Sequence, residues 1–134
     1  MNRVIISGSA KLQDSINHWV GHFEALGYDV LDRPKLIAQE NRKSKLPEVF
    51  RSFYKHIEQT DVFFLINEKK DNMEGYIGAG ATAEITYAII QNLVHGKNIR
   101  IYILNKPSKK VPCYDEVQFW LEMGWVSIYD TQTE

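Results

Sequence analysis

Every residue from Val62 to Ile66 is apolar, and Asp61 and Asn67 bracket the run. A segment this short and uniform reads as a strand with no polar face to turn toward water. Such a strand must be covered on both sides, which is the situation of a central strand in a parallel sheet. Parallel neighbours cannot be joined by tight turns and need crossover connections, usually helical. The rest of the chain therefore has to alternate strands with helices.

The flanking sequence meets that demand. Arg3-Val4-Ile5-Ile6 is a short apolar run closed by Ser7-Gly8-Ser9, and Ile16, Trp19, Val20, Phe23 and Leu26 follow at helical spacing until Gly27. Tyr28-Asp29-Val30-Leu31 reads as a second strand, closed by Arg33-Pro34. Residues 35–46 are polar and basic and read as a loop, after which Pro47 suits the first turn of a helix carrying Val49, Phe50, Phe53, Tyr54 and Ile57. Ile85, Ala88, Ile89 and Leu93 mark a third helix that stops at Gly96, and residues 99–104 form a fourth apolar run. A helix over 115–123 and a strand over 125–129 complete the pattern. With no internal repeat and no linker, it predicts one domain over residues 1–134. Its class is α/β: a doubly wound, flavodoxin-like sandwich with a five-stranded parallel sheet and helices on both faces.

Ligands of such sheets bind outside the carboxyl ends of the strands. Residues 7–9, 32–34, 67–80 and 105–107 lie there by that rule.

Composition narrows the partners. A net charge of −1 with no basic stripe gives no footprint for nucleic acid, and the short basic cluster at 41–45 reads as a solvated loop. The single cysteine, Cys113, excludes an internal disulfide and fits a reducing, cytoplasmic setting; it reads as a structural thiol. The opening residues show no basic lead or cleavage site, so no signal peptide is expected. No apolar stretch approaches the roughly 20 residues of a membrane span.

The connection after the central strand is the most unusual part of the chain, NMEGYIGAGATAEITYA over residues 72–88. Gly78 to Ala83 satisfies the G-x-G-x-x-A form of the dinucleotide fingerprint, yet it follows the third strand with a polar stretch between, not the first strand directly. The acid expected about 20 residues further on is missing too, so no dinucleotide is predicted. No phosphate-loop motif and no G-x-S-x-G elbow occurs. No cofactor is expected. Gly75, Gly78 and Gly80 can supply positive φ angles in a surface loop. Glu84 reads as a first-turn residue of the following helix, where the dipole favours an ionised carboxylate. Its phase sets it beside the stripe Ile85, Ala88, Ile89, able to point along the strand edge. His18 and His22 share a helix face, but no matching motif completes a metal site and none is predicted; His56 and His95 read as helix-surface residues.

The run 61–67, followed by Gly75-Tyr76-Ile77-Gly78, Thr82, Glu84-Ile85 and Tyr87-Ala88, resembles the nucleoside 2-deoxyribosyltransferase-like family, as does the Val4 to Ser9 turn. The resemblance implies cleavage or exchange of the N-glycosidic bond of a (deoxy)nucleoside or nucleoside 5′-monophosphate, by a nucleotide-metabolism hydrolase or transferase. Glu84 takes the nucleophile's place, and Asp61 the place of the acid that contacts the sugar or protonates the leaving base. Around them Ser7, Gly8, Ser9, Asn67, Gly75, Tyr76, Gly78 and Thr82 are the expected substrate contacts, and a homo-oligomer, dimeric or larger, is implied. Gly78 stands where family transferases carry an acid, and Thr86 where they carry glycine. These departures leave open a non-catalytic nucleotide-binding or regulatory module on the same fold.

Overall fold

The computed structural model describes residues 2–133. In chain order its elements are β1 (Arg3–Gly8), α1 (Gln13–Ala25), β2 (Asp29–Asp32), α2 (Arg42–Gln59), β3 (Val62–Ile66), α3 (Ala79–His95), β4 (Arg100–Ile103), α4 (Tyr114–Glu122) and β5 (Ser127–Ile128), with short 3-10 turns at Gln39–Asn41 and Thr131–Thr133. All strand pairs are parallel, and the strand order is β2-β1-β3-β4-β5. This is the flavodoxin-like order that the central apolar run predicts.

The pleat divides the core in two. Ile5, Phe63, Leu65, Ile101 and Ile103 point to one face and meet Phe53 and Ile57 of α2, Ile85, Ala88 and Ile89 of α3 and Val117 of α4. On the other face Val4, Ile6, Phe64 and Ile66 meet Ile16, Val20 and Phe23 of α1. Here one helix covers the sheet together with Tyr129, whose ring stands edge-on to Phe64 at 5.1 Å. All five residues of β3 are buried, and each contributes about 1.5–3 kcal/mol by leaving water.

Three boundaries differ from the sequence pattern. Helix α2 starts at Arg42, so Pro47 lies inside it and not in its first turn. Residues 42–45 are exposed and carry no apolar stripe for periodicity to detect, but Arg and Lys are good helix formers. Strand β5 is just Ser127–Ile128, because the Trp125 N–H turns back to the Trp120 carbonyl at 3.0 Å and closes the end of α4 instead. Helix α3 begins at Ala79, with Gly78 at its N-cap, which puts Glu84 in the second turn.

Candidate active site

The sheet order reverses between β1 and β3. The chain leaves β1 toward α1 on one face and β3 toward α3 on the other, and the diverging connections leave a crevice above the strand ends. This cleft has a volume of about 530 Å³ and is lined by Gly8, Ser9, Lys70, Tyr76, Gly78 and Gly80, among others. One wall is a tight turn in which Lys70 and Met73 exchange both backbone hydrogen bonds, with Asp71 and Asn72 at φ 51° and 62°. These are the two positive φ angles that a mirror-image hairpin turn requires. The Lys70 ammonium stands 5.1 Å from the centre of the Tyr76 ring.

Below the cleft, the buried Ser7 hydroxyl donates to Glu84 Oε1 at 2.7 Å. Ser7 follows Ile5 on the face covered by α2 and α3, so the pleat aims it at α3. Glu84 is half-buried and does not itself line the cleft. Its carboxyl is pushed up from 4.5 to about 7, first by burial and further by the charge of Asp32, against the Ser7 hydrogen bond that pulls it down. The first-turn position that would favour the ionised form is therefore not realised: desolvation governs this group, not the helix dipole.

Asp32 comes to the Glu84 side of the sheet through an irregular register. Arg3 pairs with Asp29 and Val4 with Val30, but Ile5 pairs with Asp32, so Leu31 is an extra residue in β2. A bulge of this kind turns the following side chain to the opposite face. Val30 packs on the α1 side, whereas Asp32 meets His56 on α2. Its carboxylate, 3% exposed, accepts from the Arg33 N–H at 2.8 Å, the Lys35 ammonium at 3.0 Å and His56 Nδ1 at 2.8 Å. Tyr54 completes the surroundings, its hydroxyl raised in pKa by burial and by the charge of Glu84.

The residues expected from sequence divide into three groups. Ser7 and Glu84 touch, and Gly8, Ser9, Tyr76 and Gly78 surround the adjoining cleft. Asn67, Gly75 and Thr82 lie nearby but are occupied internally. Asn67 spends its amide on the Gly75 and Asn105 carbonyls and on the Leu104 and Asn105 N–H groups. The Thr82 hydroxyl donates to the Gly78 carbonyl at 2.8 Å. Asp61 is a correction. It precedes β3, and its carboxylate takes the Arg3 N–H at 2.8 Å and the Arg3 guanidinium at 3.1 Å, at the amino end of the sheet. Arg3 holds its pKa below the ordinary carboxylate value. In a parallel sheet that end lies across the whole strand length from Ser7 and Glu84, so Asp61 does not share their site. Sequence pattern misses His56, which it reads as a helix-surface residue, and Tyr54, which it reads as part of the apolar stripe of its helix.

Of the three loop glycines, Gly75 alone has positive φ, at 65°, and a side chain there would meet the Lys106 carbonyl oxygen at 2.7 Å. Gly80 sits inside α3, where an alanine methyl would find nothing within 4 Å. Gly75→Ala is expected to cost about 2 kcal/mol or more, while Gly80→Ala gains about 0.5–1 kcal/mol as a helix residue. Urea denaturation of the two variants checks both signs.

His18 and His22 flank the Trp19 ring edge-on at 5.1 Å, and among the described residues no group of three side chains is placed to hold a metal ion. No described helix is long and apolar enough to cross a membrane. The chain matches no protein-family model and no curated protein.

Proposed function

We propose that this chain cleaves the N-glycosidic bond of a (deoxy)nucleoside or nucleoside 5′-monophosphate, by hydrolysis or by exchange onto a second base, through Glu84. The observation that carries this reading is the Glu84 carboxyl held by Ser7 at the carboxyl edge of the sheet, beside a cleft of ligand-binding size. Glycosidic bonds break through an oxocarbenium-like state, which an ionised carboxylate stabilises and traps as a covalent ester while the base departs and takes a proton from water. Attack of water or a second base on the anomeric carbon then frees Glu84. A pKa of about 7 keeps the ionised form available at neutral pH. Cationic character developing on the sugar favours that form further. With Asp61 at the far end of the sheet, the groups next to Glu84 are Ser7, Asp32 and Tyr54.

A cytoplasmic setting belongs to the same reading, with Cys113 a half-buried thiol whose pKa burial pushes up. Association of copies belongs to it as well, supported by Phe50 on α2 and Leu93 and Val94 on α3, which are exposed. The competing reading, a nucleotide-binding module without turnover, is favoured by Gly78 standing where an acid is expected.

Chromatography separates the two. Purified chain incubated with deoxynucleosides, ribonucleosides and their monophosphates, with and without a second free base, is expected to release base or form exchanged nucleoside, and the Glu84→Gln variant is expected to do neither. Thermal stabilisation by one of these compounds with no product across the panel overturns the enzymatic reading in favour of the binding module.

A further inference from the structure

The most heavily bonded ionisable group on the α2 and α3 face is Asp32, and its bonds follow a pattern. A β-bulge sets it opposite Ile5, on the face where Ser7, two residues on, holds Glu84, and a histidine and a lysine bind its two oxygens. Burying a carboxylate is costly unless it is paired and hydrogen-bonded. The chain has met that requirement at a place where an unbulged β2 would have carried the residue to the α1 face. We propose that Asp32 is a positioning residue for Glu84: it holds a fixed negative charge beside that carboxyl, and its bound cation Lys35 sets how much of the charge Glu84 feels. The proposal rests on the reading of Glu84 as the reacting carboxyl.

The surroundings of Glu84 leave few competitors for this role. From β1 it meets Ser7, a neutral donor, and from β2 the charge of Asp32. From α2 Tyr54 feels the charge of Glu84, His56 binds Asp32, and Glu58 bonds instead to Tyr87, one turn along α3. The parts of β3 and β4 under α3 are apolar, through Phe63, Leu65, Ile101 and Ile103. Asp32 is thus the charged group on a neighbouring element that Glu84 senses, and it raises the carboxyl's pKa. Like charges at short range cannot both ionise freely, so Asp32 holds a share of Glu84 protonated while the site is empty. Cationic character on a bound sugar favours the ionised Glu84 against that repulsion. His56 keeps Asp32 in this orientation through its 2.8 Å bond.

The experiment is an NMR titration of glutamate side-chain carbons in the full-length chain without ligand, with Glu84→Gln identifying the signal. Glu84 is expected to titrate near pH 7. Asp32→Asn, which keeps the shape, is expected to move the midpoint down, while burial still holds it above the ordinary carboxylate value. Lys35→Glu, at a side chain 52% exposed, is expected to move it up. A merely structural role for Asp32 gives no such opposed pair. An unmoved midpoint in folded Asp32→Asn overturns the proposal; if that variant does not fold, an unmoved midpoint in Lys35→Glu does so. Neither titration requires turnover, so this result is independent of base release, whose absence instead sinks the glycosidic reading.

Discussion

At pH 8 the Glu84→Gln variant is expected to be more stable than the unsubstituted chain by as much as about 3 kcal/mol, while the base release proposed for Glu84 falls on the order of 10⁴-fold or more. The stability gain follows from the carboxyl's displacement from 4.5 to about 7. Between those values the folded chain keeps a proton that the unfolded chain has already released. Stability contributed by the protonated form is therefore fully present below pH 4.5, declines as pH rises through the window, and is lost above about 7. Glutamine has no such dependence, and its carbonyl still accepts from Ser7. The two chains should have similar urea midpoints at pH 4, diverge up to about pH 7 and keep that gap at pH 8. Equal midpoints at both pH values would show that Glu84 is not desolvated in the folded chain. A paired loss of base release would tie that cost to the proposed function, since a site held away from its stability optimum is a common cost of activity.

Asn67→Leu is expected to destabilise the chain by about 3–5 kcal/mol. Asn67 is 1% exposed and sits just past β3. Its Oδ1 accepts the Leu104 and Asn105 N–H groups, each at 2.9 Å, and its Nδ2 donates to the Gly75 and Asn105 carbonyls at 3.1 and 2.6 Å. One amide thus clamps the ends of β3 and β4 and the wall of the cleft. Leucine is close to it in size and satisfies none of these groups, leaving buried donors and acceptors without partners. Ser9→Ala, a control on the same edge, should stay within about 0.5 kcal/mol, as exposed substitutions do. Urea denaturation with an unchanged slope checks the pair. A fully stable Asn67→Leu that had lost ligand affinity would instead restore Asn67 to the binding residues.

Much of this architecture is legible in short patterns. The unbroken apolar run of β3 requires a central parallel strand, and the alternation around it requires crossover helices. Together they lead to the carboxyl edge, and so to Ser7, Gly8, Ser9 and the loop before α3. Glu84 stands out because it places an acid beside an apolar stripe at that edge, where packing alone has no use for a charge. The position of Asp61 is also legible: as the first residue of its run it lies at the amino end, and resemblance alone assigns it to the site. Residues 42–45 are illegible for a different reason, since an exposed helical turn rich in Lys and Arg has the composition of a loop.

Local sequence by itself determined the strands, the amphipathic helices and the edge at which a ligand would sit, because side-chain periodicity is a property of each segment alone. The tertiary structure decided the ionisation of Glu84 and the identity of its neighbours. Burial depends on what α2, β1 and β2 bring against α3, and no window of sequence contains all four. The bulge at Leu31 is the clearest case. Counted by twos along β2, Asp32 shares the face of Val30; pairing with Ile5 turns it to the other face and onto His56. The choice belongs to two strands and the helix above them, where one extra residue lets Val30 pack on the α1 side and Asp32 reach its hydrogen bonds on the other.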